Sequence, residues 1–168
     1  MKHIFYSTFI FSAFVVCFFS VSAHTTSAYL TTSQKTIELN NGSALFLIEY
    51  EFGHEHHEMQ MPFITKNTAL EATNTLAYTI LDKDGQEISG KSSAIILSNS
   101  TLGENMMYAV PKGFAKKFTL IVVFNPEAST TEDYRLQVTH LPFNFDGKQQ
   151  LGLNAPELQY YTTPYTHL

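Results

Sequence analysis

Along most of the chain, short apolar runs are separated by clusters of Asn, Asp, Gly and Pro. Within several runs, apolar and polar residues alternate one by one. That period of two sends successive side chains to opposite faces of an extended strand. Ala44 to Phe52 (ALFLIEYEF) starts continuously apolar and ends alternating, with Ile48, Tyr50 and Phe52 on one face and Glu49 and Glu51 on the other. Tyr134 to Thr139 (YRLQVT) places Tyr134, Leu136 and Val138 together. Lys117 to Phe124 (KFTLIVVF) is β-branched or aromatic at most positions, the composition that strands favour. Thr36 to Leu39, Ser93 to Leu97 and Asn105 to Val110 are further strands, and Met59, Met61 and Phe63 alternate as a core-facing strand would. Thr75 to Leu81, then Asp82-Lys83-Asp84-Gly85, then Gln86 to Ile88 reads as a hairpin, because Asp-Gly supplies the positive φ that tight turns need. Asn40 to Ser43 and Pro111 to Gly113 are turn signals.

About seven or eight strands at this spacing predict an all-β chain. The expected fold is an antiparallel β-sandwich of immunoglobulin-like or fibronectin-like architecture, with a small barrel as the alternative. The best helical stretch, Asn67 to Thr73, is long enough for one or two turns only. The tail, residues 141–168, carries Pro142, Pro156 and Pro164 and no strong alternation. It also carries Phe143, Phe145, Leu151, Leu153, Leu158, Tyr160, Tyr161 and Tyr165, too many apolar groups for a disordered tail. It is expected to dock on the sandwich as an irregular segment, with a short helical turn starting near Asn154.

The start changes the picture of where the protein works. Lys2, an apolar run from Ile4 to Phe19 and then Val21-Ser22-Ala23 have the order of a secretory signal peptide. Residues 1–23 are read as that leader and 24–168 as one exported domain, with 24–34 a flexible N-terminus. No later run is apolar enough to predict a membrane span. Cys17 is the single cysteine and lies in the leader, so the mature domain must be held by its core rather than by disulfides. The net charge of −5 and the absence of a basic stripe with interleaved aromatics argue against a nucleic-acid partner. An unknown protein or a surface glycan is the expected partner, and the periplasm, the cell surface or the extracellular space the expected place.

Candidate chemistry concentrates in Gly53 to Pro62, GHEHHEMQMP. His54, His56, His57, Met59 and Met61 combine imidazole and thioether donors, a set that suits copper and above all Cu(I). On an extended chain His54 and His56 share one face, and His57, Met59 and Met61 the other. Neither face completes a site alone, so His24, His140, His167 or Met106-Met107 would have to contribute. Cleavage after Ala23 would make His24 the first residue, with amine and imidazole placed to chelate Cu(II). In that one position, and in its expected fold class, the chain is similar to the polysaccharide monooxygenases and to small sandwich copper-resistance proteins. The competing reading makes Gly53 to Glu58 a solvated loop and Met59 and Met61 core.

Other motifs are weaker. Asp82 to Gly85 begins like a calcium loop, but Ser93 stands where the last carboxylate is required. There is no G-x-S-x-G elbow and no mature cysteine for a Cys–His pair. Asn41-Gly42-Ser43 and Asn99-Ser100-Thr101 match the glycosylation acceptor pattern. The leading expectation is a non-enzymatic exported binding or structural module. A copper carrier or sensor comes second, and a copper-dependent oxidative enzyme built on His24 third.

Overall fold

The structure, a computed structural model, describes residues 32–39, 42–67, 75–127, 133–146, 149–154, 158 and 161–167. The leader, His24 and most of the Asn67 to Thr73 stretch lie outside the described residues, as do Tyr160 and residues 155–157. Among the described residues the strands are β1 (Thr32–Leu39), β2 (Ser43–Gly53), β3 (Met59–Pro62), β4 (Thr65–Asn67), β5 (Leu76–Leu81) and β6 (Gly90–Ser98). Then come β7 (Thr101–Leu102), β8 (Met107–Val110), β9 (Ala115–Pro126), β10 (Asp133–Phe145), β11 (Gln149–Asn154) and β12 (Thr166–His167). They form two sheets, so the expected antiparallel sandwich is the fold. One sheet runs β1-β2-β9-β6; the other runs β4-β5-β10-β3-β8-β7, with β11 and β12 also pairing β10. Pairing is antiparallel except between β4 and β5. No helix among the described residues is long and apolar enough to cross a membrane.

The core lies between the sheets and follows the period of two. Phe46, Ile48, Tyr50 and Phe52 of β2 and Phe118, Leu120, Val122 and Phe124 of β9 are buried from the first sheet. Tyr134, Leu136 and Val138 of β10 and Ile80 of β5 meet them from the second. Aromatic rings pack within and between the layers. Tyr50 stacks on its cross-strand partner Phe118 at 5.4 Å between centroids, and Phe124 of the first sheet meets Tyr134 of the second edge-on at 5.8 Å, geometries that add to area burial. The Asp82 to Gly85 hairpin turn is closed by its own first residue. Asp82 Oδ1 accepts the amides of Asp84 and Gln86, each at 2.8 Å, and Gly85 takes φ 79°.

The tail is more regular than its sequence suggests. β10 continues through Pro142, and β11 returns against it in register from Phe145–Gln149 to His140–Asn154. The strand pattern of the sequence breaks at Pro142 because proline has no amide to donate. The neighbouring residues keep the ladder going, with Pro142 opposite Gly152. The described remainder docks as expected. Leu158, Tyr161 and Thr163 are buried. Tyr161 O accepts the Val138 amide at 3.0 Å, the Thr163 amide donates to Leu136 O at 2.9 Å, and Thr36 Oγ1 donates to Pro164 O at 2.9 Å. The segment therefore bridges β10 and β1, closing one side of the sandwich.

Burial of tyrosine makes the fold sensitive to alkali. Burial pushes the Tyr50 phenol far above its ordinary value of 10.0, with the nearby Tyr161 and Tyr108 adding to the effect. Burial also raises Tyr161. A folded pKa above the unfolded one means that the unfolded chain gives up protons first as pH rises. Stability is then intact below about pH 10 and falls above it, by about 1.4 kcal/mol per pH unit for each such tyrosine. Two tyrosines predict a loss of about 3 kcal/mol at about pH 11. Urea melts at several pH values check this, and Tyr50→Phe should flatten the alkaline slope; an unchanged midpoint up to about pH 11 would refute it.

Candidate functional site

Two features of the surface compete as the working site. The first is the histidine loop between β2 and β3. Gly53 ends β2 opposite Ala115, and the chain turns there against the Pro111 to Phe114 turn, whose Gly113 amide donates to His54 O at 2.9 Å. His54 folds inward and is buried. Its Nδ1 accepts the backbone amides of His56 at 3.0 Å and His57 at 3.1 Å. The ring thus holds the turn that the next residues make, in the way Asp82 holds its hairpin. With Nδ1 as acceptor, a neutral ring carries its proton on Nε2. Coordination through Nε2 would need the proton on Nδ1, where both amides already point.

His56 and His57 stand exposed. His57 Nδ1 lies 2.9 Å from Asp146 Oδ2, in the β10–β11 turn, and the rings of His54 and His57 both pack on Phe145. The structure therefore gathers the three histidines, with ring centroids 4.9 Å apart for His54–His57 and 6.2 Å for His54–His56. It does not bring the methionines to them. Met59 and Met61 are fully buried in the core cluster. Met107 is buried, and Met106 is exposed in a turn with φ 59°. His140 is buried just past a bulge in β10, and His167 sits against Asp133 at 3.0 Å. Among the described residues no group of three or more His, Cys, Asp or Glu is placed to hold a metal ion.

The second feature is the outward face of the four-stranded sheet. Strand register assembles it. Leu47 pairs with Ile121, which pairs with Ile95 on the edge strand β6. One row along, Ile37 pairs with Leu45, Leu45 with Val123, and Val123 with Ser93. All these side chains alternate with the core-facing ones, so they point away from the core. Ile95 is 50% exposed and Leu97 51%. The other apolar residues of the block are partly exposed. Charges rim it: Lys35 on β1, Lys91 on β6, Glu49 and Glu51 on β2, and Lys117 on β9. Lys117 Nζ is 3.6 Å from Glu51 Oε1, and both flank a shallow pocket of about 240 Å³ with Ser33 and Thr119.

This face was present in the sequence as a signal of another kind. KFTLIVVF and the start of ALFLIEYEF are continuously apolar, and an antiparallel strand with one wet face should alternate. Continuous runs mean either cover on both sides or an exposed apolar face. In β9 the burial alternates strictly from Phe118 to Phe124, so the second meaning applies.

No family model matches the chain, and no curated protein matches it. Among the solved structures it is similar to is one titled "Crystal structure of yeast GGA1_GAE domain-P21", with 7% sequence identity and a TM-score of 0.33, covering 83% of this chain and 91% of that one.

Proposed function

We propose that the chain is an exported β-sandwich binding module, rather than an enzyme, and that it works through the outer face of its four-stranded sheet. One observation carries this reading. A contiguous block of Leu45, Leu47, Ile121, Val123, Ile95 and Leu97 faces outward on a rigid sheet, with charged residues around it. Contiguous exposed apolar surface with a polar rim is the usual mark of a protein-binding site. A flat apolar face binds by area and shape, not by chemistry on a reacting group. The leader-like residues 1–23 support export.

The test places a photoreactive benzoylphenylalanine at Ile95 in the producing cell. A discrete protein adduct is expected, and it should disappear when Leu47 is also changed to Glu. The same probe at Glu104, exposed in the β7–β8 turn, should give none. Equal labelling from both positions, or none from either, would sink the reading.

A further inference from the structure

We infer that the occupant of this face is a second copy of the same chain, packed sheet on sheet about a two-fold axis. The inference rests on the reading of the face as the working surface and deepens it.

The two central strands of the sheet are β2 and β9. They are antiparallel and paired Leu45–Val123, Leu47–Ile121, Glu49–Thr119 and Glu51–Lys117. Take a two-fold axis lying in the interface, parallel to the strands and midway between them. Rotation about it sets β2 of one copy over β9 of the other and keeps each residue level with its cross-strand partner. Leu47 then lies over the second copy's Ile121, and Leu45 over the second copy's Val123. Glu51 lies over the second copy's Lys117, and by symmetry the reverse contact forms too. The same rotation sets β6 over β1, so that Ile95 meets the aliphatic stem of the second copy's Lys35. Along the two central strands apolar groups meet apolar groups and acid meets base twice, while on the outer strands Ile95, Leu97 and Ile37 lie over the second copy's Lys35, Ser33 and Ser93. This is the self-complementarity an isologous contact demands.

Size agrees. Four strands spaced about 4.8 Å apart, over the eight steps from Ser43 to Glu51 at about 3.3 Å each, offer roughly 500 Å² per copy. The total of about 1,000 Å² is at the lower end for a specific interface, which points to a weak, concentration-dependent dimer with Kd in the micromolar range.

Exposed charges make the test clean, because changing them leaves the core alone. Glu51→Lys alone puts lysine over lysine at both symmetry-related contacts, and Lys117→Glu alone puts glutamate over glutamate. Mixing the two variants restores acid over base at every contact. Sedimentation equilibrium of the protein recovered from the secreting host should show a monomer–dimer equilibrium, weakened at least about tenfold in each variant and recovered in the mixture. Circular dichroism confirms that both variants are folded. A wild-type protein that stays monomeric into the high micromolar range overturns the inference. So does a dimer indifferent to both charge changes and to Leu47→Glu. The two proposals fail separately: an Ile95 adduct to a different protein, with no self-association, removes the dimer and keeps the binding face. No adduct removes both.

Discussion

Gly53→Ala is expected to destabilise the protein by more than about 3 kcal/mol, a large share of the total stability of an ordinary domain. The reason is backbone, not side chain. A Cβ on Gly53 would sit 2.3 Å from Phe114 O and 2.8 Å from Ala115 Cα. Neither atom belongs to a flexible side chain that could swing away. To admit a methyl group, β2 and the start of β9 must separate just where Gly53 pairs with Ala115 and where Gly113 donates to His54 O at 2.9 Å. The His54 ring, which holds the amides of His56 and His57, would be displaced with them. Thermal melting is expected to fall by about 10 °C, and urea midpoints should fall without a change of slope. A melting point within about 2 °C of wild type would show that the two segments are not held this close in solution.

Met61→Ala is expected to cost about 2–5 kcal/mol, and Met61→Leu less than about 1.5 kcal/mol. Met59 should behave in the same way. Both side chains are fully buried, on strand β3 between β10 and β8. Truncation leaves a cavity in packed surroundings, whereas leucine keeps most of the volume. The pair of substitutions separates two roles for methionine. A structural Met tolerates leucine and not alanine. A ligand Met tolerates neither in metal binding, since both lack sulfur. Chemical denaturation of the metal-free protein gives the stability difference, and a Cu(I) competition titration on the same variants gives the other readout. Copper affinity lost equally in Met61→Leu and Met61→Ala, with stability unchanged, would return Met61 to the ligand set.

How far the sequence can be read depends on the range of the interaction. The inner face of β2 was legible because Ile48, Tyr50 and Phe52 alternate with Glu49 and Glu51, and only a strand with one wet side keeps that period. The Asp82 hairpin was legible because its chemistry is complete within a few residues. The Met59, Met61, Phe63 alternation pointed to core, and the two methionines are there; Phe63 is only partly buried. The tail was half legible. Its apolar content showed that it must dock, but Pro142 hid the continuation of β10, and β11 has little alternation to show.

The histidine loop and the outer sheet face mark the boundary most clearly. The sequence by itself determined that the chain is built of strands, where most of them turn, and which faces of the alternating ones turn inward, because those follow from local period and turn chemistry. It also showed donor atoms crowded between Gly53 and Pro62. Only the tertiary structure decided where each of those donors lies. It turned His54 inward to hold its own loop, set His57 against Asp146 from a distant turn, and kept Met59 and Met61 for the core. It likewise decided that Leu47, Ile121 and Ile95, far apart in the chain, line up across three strands on one exposed face. Strand register is a non-local quantity, fixed by pairing energies summed over whole strands, and a one-residue slip would have sent every one of these side chains to the other side.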